Sequence, residues 1–69
     1  MQYLFNGVVY HNEHELLEVL CNMNEIIISP AITTYSDCEG KYIGSDEEDS
    51  EEDIVDKIIN AGNIEIERR

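Results

Sequence analysis

The chain has 69 residues, 42% of them apolar, and its 16 acidic residues outnumber 4 basic ones to give a formal net charge of −12. A chain this short builds one domain with a small core and leaves little apolar material for a deep catalytic cleft, so we do not expect an enzyme. The negative charge argues against direct contact with nucleic acid or an anionic membrane, because both repel it.

The N-terminal segment is predicted to form a β-hairpin. Residues 2–5 and 8–10 are rich in aromatic and β-branched side chains, and they flank the dipeptide Asn6-Gly7. Asn-Gly is the strongest short hairpin signal, because both central residues of a type I′ turn need positive φ.

A helix is predicted over residues 13–23. Asn12 suits its N-cap, Glu15 stands at the capping-box position, and negative charge in the first turn suits the helix dipole. Asn24 can end the helix in the left-handed conformation. One buried stripe is expected to hold four apolar residues: Leu16, Leu17, Leu20 and Met23.

Three extended pieces are predicted between this helix and the next. Residues 25–29 contain three isoleucines, which favour a strand, and Pro30 is expected to end it. A second extended piece at 31–35 is rich in β-branched residues. A polar turn at 36–40 leads to a short strand at 41–44, which we expect to pair back onto the second piece.

The most acidic stretch, residues 45–53, is here called the acidic block, and seven of its nine residues are Asp or Glu. Its first half, 46–49, is predicted to be a loop, because adjacent like charges repel and no apolar residue anchors them. Ser50 suits the N-cap of a second helix, with Asp53 at the capping-box position. The second half of the block then forms the first helical turn, where negative charge is best tolerated.

The rest of the chain completes this helix and adds a last strand. Gly62 suits the residue after the helix, residues 63–67 alternate polar with apolar side chains, and Arg68 and Arg69 are expected to fray. The order ββαβββαβ over residues 1–69 predicts one small α+β domain, with both short helices on one face of a mainly antiparallel sheet. The inward face of the second helix is predicted to hold Ile54, Val55, Ile58 and Ile59.

No metal, cofactor or catalytic residue is expected. His11, His14, Cys21 and Cys38 miss the spacing of zinc sites, and the acidic block misses the ligand positions of a calcium loop. No phosphate-binding glycine loop or serine–histidine–aspartate arrangement is present. Two cysteines make no disulfide framework, and residues 1–20 lack the features of a secretory signal, so we expect a reduced, cytoplasmic protein.

The acidic side chains are the candidate partner-binding residues, because a dense negative field attracts basic surfaces. A second patch is expected from Glu15, Glu18 and Glu25. The main patch is expected to comprise Asp46, Glu47, Glu48, Asp49, Glu51, Glu52, Asp53 and Asp56.

In size, acidity and compact α+β pattern, the chain is similar to small phage-encoded anti-CRISPR and anti-restriction proteins. That resemblance implies a DNA mimic, which binds a basic nucleic-acid-binding protein such as a nuclease, CRISPR effector or restriction enzyme and blocks its nucleic-acid site. The phosphates of duplex DNA supply the charge pattern that such a mimic copies.

Three other interpretations stay open from the sequence. A generic interaction module, such as an adaptor, antitoxin or assembly factor, would bind a basic partner that does not handle nucleic acid. A small metal-dependent enzyme or metal carrier is disfavoured by the ligand spacings. Finally, the acidic block can be a solvated linker without a partner.

Overall fold

The computed structural model describes residues 2–29 and 33–69, so Pro30 and the start of the extended piece predicted at 31–35 lie outside the described residues. The predicted element order and the antiparallel α+β class are confirmed. The elements are β1 (Tyr3–Phe5), β2 (Val8–Tyr10), α1 (Glu13–Asn22), β3 (Ile26–Ser29), β4 (Thr34–Asp37), β5 (Tyr42–Ser45), α2 (Glu51–Ala61) and β6 (Ile66–Arg68).

The strands divide into two three-stranded antiparallel sheets, where the sequence predicted a single one. In the first sheet β1 lies between β2 and β6, and in the second β4 lies between β3 and β5. The division follows from the chain order: β3, β4 and β5 follow one another closely and pair locally, whereas a helix separates them from β2 on one side and from β6 on the other.

The N-terminal hairpin has the predicted turn. Asn6 and Gly7 both have positive φ, at 53° and 78°. The register pairs Phe5 with Val8 and Tyr3 with Tyr10, so two residues connect the strands. This geometry matches a type I′ turn, whose twist suits the right-handed twist of the strands.

The start of α1 is as predicted, but its end is one residue earlier. The Asn12 side chain accepts a hydrogen bond from the Glu15 backbone N–H at 2.9 Å. Asn24 has a φ of 60°, and the N–H groups of Asn24 and Glu25 donate to Cys21 and Leu20, which is the Schellman pattern. Met23 is therefore the cap and is 45% exposed, so its predicted place on the buried stripe was wrong.

The two middle boundaries shift by a few residues. Ser36 and Asp37, predicted as turn, belong to β4. The short strand β5 pairs back onto β4 as predicted, with Tyr35 opposite Gly44 and a bulge after Tyr35. The side chain of Asp37 explains the shift, because its Oδ1 accepts from the N–H groups of Glu39 and Lys41 and so closes the turn beyond the strand.

The C-terminus is part of the first sheet, so the expectation that Arg68 and Arg69 fray was wrong. Arg69 donates its N–H to the Gln2 carbonyl at 2.8 Å and accepts from the Gln2 N–H at 3.2 Å. The guanidinium of Arg68 forms an ion pair with Asp56 on α2. Pairing with β1 satisfies backbone groups that an isolated tail would leave to water, and it joins the two ends of the described chain.

The core lies between the two helices and the two sheets. Each helix contributes three buried residues, and both sheets contribute the rest. Within the described residues, no helix has the length and apolar character needed to cross a membrane. The buried apolar residues are Tyr3, Phe5, Leu16, Leu17, Leu20, Ile26, Tyr35, Ile54, Val55 and Ile58.

Replacing both turn residues, Asn6→Val with Gly7→Val, should destabilise the protein by at least about 2 kcal/mol, since each valine is forced to a positive φ. A Cβ at Gly7 would meet no atom within 4 Å, so the cost is one of backbone conformation and not of crowding. Thermal unfolding measures the effect. Asn6→Gly is the control and should retain the stability of the native turn. Equal melting temperatures for the double variant and the native protein would contradict the turn assignment.

Candidate functional site

The acidic block leads from the end of β5 into the start of α2. Ser45 ends the strand, residues 46–49 form a turn, and Ser50 is the N-cap. The Ser50 side chain accepts from the Asp53 N–H at 3.2 Å, so the predicted division into a loop and a first helical turn is confirmed. The negative side chains of the first turn lie at the positive end of the helix dipole.

The loop half of the block is hydrogen-bonded to the second sheet through its backbone. Asp46 donates its N–H to the Thr33 carbonyl at 3.2 Å. Glu48 and Asp49 both donate to the carbonyl of Ser45, at 3.1 and 2.8 Å. Because these bonds tie the loop to the strand from which it leaves, its carboxylates project from a defined backbone.

Tyr35, on β4, holds the loop through a hydrogen bond to Asp46. Its side chain is only 4% exposed, and its hydroxyl donates a hydrogen bond to Asp46 Oδ1 at 3.0 Å. Burial, together with this bond to a carboxylate, raises the pKa of Tyr35 to about 12. The hydroxyl therefore stays a donor at neutral pH and holds one carboxylate of the block in place.

Asp49 lies against β5 because Gly44 has no side chain. A Cβ on Gly44 would come within 2.6 Å of Asp49 Oδ2. The same oxygen accepts a hydrogen bond from Lys57 Nζ at 3.0 Å, and this bond raises the pKa of Lys57. Asp49 is therefore a structural carboxylate, whose charge is compensated from α2.

His14 connects the block to the second predicted patch. Its Nδ1 lies 3.0 Å from Glu51 Oε2 on α2, and its Nε2 lies 3.7 Å from Glu18 Oε2 on α1. The hydrogen bond to Glu51, and then the attraction of that carboxylate, raise the pKa of His14. Protonated His14 thus bridges carboxylates of two helices.

The other two members of the second patch lie apart from each other. Glu15 is exposed in the first turn of α1, whereas Glu25 follows the end of that helix. A helix of this length separates them by about 15 Å. The structure therefore joins Glu18 to the acidic block but leaves Glu25 at the opposite end of α1.

The predicted site residues fall into two groups by their contacts. Asp46, Asp49, Glu51 and Asp56 contact Tyr35, Lys57, His14 and Arg68 respectively. Four block carboxylates are exposed and have no ion-pair partner within 2–29 and 33–69: Glu47, Glu48, Glu52 and Asp53.

The partners of the block were missed at the sequence level. His14 lies on the other helix and is 37 residues from Glu51 in the chain. The role of Gly44 depends on a loop folding back over it. The only sequence signal for a partner of the block was Lys57, which follows Asp53 at the i+4 spacing of a helical ion pair. In the structure Lys57 pairs instead with Asp49.

In the described part of the chain, no group of three or more His, Cys, Asp or Glu side chains is placed to hold a metal ion. Cys21 is half-buried and packs against the core. Cys38 is exposed in the turn after β4.

Tyr35→Phe should lower the free energy of unfolding by about 1 kcal/mol, because it removes the hydrogen bond to Asp46. Tyr3→Phe is the matched control and should leave stability unchanged or higher, because the buried Tyr3 hydroxyl has no hydrogen-bond partner among the described residues. Urea unfolding at neutral pH measures both. An equal loss in the two variants would contradict the anchoring role of Tyr35.

The hydrogen bond between Tyr35 and Asp46 should make the stability of the protein depend on pH in the alkaline range. Since the pKa of Tyr35 rises from 10.0 to about 12 on folding, its contribution is fully present below pH 10 and is lost as the pH passes through the folded value. The difference in unfolding free energy between the native protein and Tyr35→Phe should therefore decrease as the pH rises from 10.0 to about 12. A constant difference across this range would show that Tyr35 does not titrate as described.

His14→Ala should lower the melting temperature under mildly acidic conditions and have little effect at alkaline pH. The pKa of His14 is raised above 6.5 in the folded protein, so its contribution is fully present below that value and is lost as the pH rises through the folded pKa. Melting temperatures at pH about 5.5 and about 8.5 bracket this titration. His11→Ala is the control, and a similar pH dependence in both variants would contradict the bridge.

Known proteins give this site no assignment. No protein-family model matches the chain, and neither a curated protein nor a solved structure matches it. A functional proposal therefore rests on the charge and geometry of the residues described above.

Proposed function

We propose that this protein is an acidic decoy, which binds a basic nucleic-acid-binding protein and blocks its nucleic-acid site. The observation that supports this most directly is the attachment of the acidic block to a folded support. Hydrogen bonds from Tyr35 and from the backbone hold the loop, and Ser50 caps the helix. Carboxylates on such a support bind with a smaller loss of conformational entropy than those of a flexible tail.

The amount of charge also supports the proposal. The longest dimension of the molecule is 30 Å. A duplex of that length carries roughly 18 phosphate charges, at one per about 1.7 Å of axis. The net charge of −12 gives the protein about two thirds of that density, and seven of its 16 acidic residues lie in the acidic block at the start of α2.

The four exposed carboxylates of the block are the proposed contact residues: Glu47, Glu48, Glu52 and Asp53. Asp46, Asp49, Glu51 and Asp56 are proposed to contribute to the field while maintaining the fold through their own partners. The proposed partners are nucleases, CRISPR effectors and restriction enzymes. The proposed place of action is the cytoplasm, which is that of the host cell if the protein is encoded by a phage.

The matched test compares two double variants of equal charge. Glu47→Gln with Glu48→Gln changes the block, and Glu65→Gln with Glu67→Gln changes exposed residues near the C-terminus, so each pair takes the net charge from −12 to −10. Each lost rim contact is worth about 0.2–1 kcal/mol. The two contacts together are therefore worth about 0.4–2 kcal/mol, so the block variant should bind its partner about two- to thirtyfold more weakly. The C-terminal variant should bind as the native protein does.

The measurement begins with capture of partners from a host lysate on the immobilised native protein, followed by mass spectrometry. The proposal expects basic nucleic-acid-binding proteins, which duplex DNA or guide-bound nucleic acid displaces. Binding should weaken with salt, because screening acts over about 10 Å at 0.1 M. A partner retained equally by both variants, with little salt dependence and no competition by nucleic acid, would contradict the decoy and favour a generic interaction module.

A further inference from the structure

A second surface, distinct from the acidic block, has the form of a binding groove. It measures about 500 Å³ and lies where the C-terminal part of α2 faces the hairpin of β4 and β5. Its size falls within the range of small binding sites. In the groove, α2 contributes Ile58 and Ala61, and the sheet contributes Tyr42 and Ile43.

The floor of the groove is apolar. Ile26 and Ile58 are buried beneath it, and Ile43 and Ile64 are half-buried along it. Tyr42 extends this surface and is 53% exposed. Apolar surface that is exposed to water favours association with an apolar side chain of a partner.

The rim of the groove is negative. Three carboxylates line it, those of Glu25, Asp37 and Glu39. Two lysines line it as well, but the charge of Lys57 is compensated by Asp49 at 3.0 Å. The lining therefore has three carboxylates against one lysine, Lys41, without an ion pair among the described residues, so the net field at the rim attracts cations.

The ends of both helices add to this field. Glu25 directly follows the Schellman end of α1, and Ala61 and Asn63 lie at the end of α2. Neither helix has a basic residue in its last turn. The negative ends of two helix dipoles at one groove are thus uncompensated by the helices themselves, which again favours a positively charged ligand.

We propose that this groove binds an apolar side chain flanked by lysine or arginine, presented by the same basic partner that the acidic block attracts. That the partner is basic rests on the proposed function. The groove adds selection among basic proteins, because it requires an apolar side chain beside the positive charge. Charge at a rim acts mainly on the association rate, whereas an apolar anchor in a pocket supplies discrimination. The groove and the block are joined through Lys57, which lines the groove and contacts Asp49 of the block.

Three blocked peptides test the occupant directly: acetyl-Arg-Arg-Leu-Arg-Arg-amide, its serine analogue with the same charge, and acetyl-Glu-Glu-Leu-Glu-Glu-amide. Amide chemical shifts of the whole protein are followed during titration with each. The leucine peptide with arginines should shift the groove residues Ile26, Ile43, Ile58 and Ile64. The serine analogue should shift only the acidic block, and the acidic peptide should shift neither.

A matched pair of variants tests the groove itself. Ala61 and Asn60 are adjacent exposed residues of α2, but only Ala61 lines the groove. Ala61→Leu should fill the groove and weaken binding of the arginine–leucine peptide about tenfold, whereas Asn60→Leu should bind as the native protein does. Tyr42→Ala, which removes exposed floor without filling space, should weaken the same peptide if Ala61→Leu proves unstable.

The outcomes separate this inference from the decoy. Equal binding of the leucine and serine peptides, with shifts confined to the block, would overturn the groove and leave the decoy standing. Equal binding of the acidic and basic leucine peptides at the groove would overturn its preference for cations. A dimer in light scattering that Ala61→Leu abolishes would assign the groove to a second copy and overturn the proposal. The arginine–leucine peptide can still shift the groove residues in the double variant Glu47→Gln with Glu48→Gln, while nucleic acid fails to compete for the captured partner. That combination would support the groove and refute the decoy.

Discussion

Burial of one face of α2 is the constraint on which the rest of this structure depends. Ile54, Val55 and Ile58 fill the core from this helix, and they fix its orientation against β5 and α1. Once that face is buried, the opposite faces of α2 are placed as well. Its N-terminus supports the acidic block, its middle brings Lys57 to Asp49, and its outer face brings Asp56 to the last strand. Loss of packing at this helix would therefore release the block, the ion pairs and the closing strand together.

The fold also has to accommodate a net charge of −12 on a small core. Self-repulsion opposes the compact state, and a domain of this size has little apolar burial with which to offset it. Three of the four basic residues form ion pairs with carboxylates, at Asp49, Asp56 and Glu67, and His14 lies between Glu18 and Glu51. Each of these surface contacts is weak by itself. Those of His14, Lys57 and Arg68 connect different parts of the fold.

The same arrangement separates structural carboxylates from exposed ones. Within the block and α2, Asp46, Asp49, Glu51 and Asp56 each contact a named partner, whereas Glu47, Glu48, Glu52 and Asp53 are exposed and have no ion-pair partner among the described residues. Charge that is fixed in this way costs less entropy on binding than charge on a flexible segment. The groove at the other end of α2 differs from the block, because it provides a shaped apolar contact surface whereas the block provides negative electrostatic potential. A partner that engages both would be attracted over a distance and selected at close range.

The sequence by itself determined the local elements, because their signals act over a few residues. Asn6-Gly7 specified the hairpin turn, Asn12 and Ser50 specified the helix starts, and the isoleucines at 26–28 specified a strand. These follow from φ preferences, capping hydrogen bonds and side-chain branching. Local signals likewise placed the acidic block half in a loop and half in a helix.

Only the tertiary structure decided how these elements meet. The pairing of β6 with β1 held Arg68 in a sheet, and the middle strands formed a second sheet separate from the first. For the block, the contacts of Tyr35 and Lys57 join residues that are 8 or more apart in the chain. No local pattern encodes such contacts, because they depend on which faces are buried against one another, and that choice is made by the whole core at once.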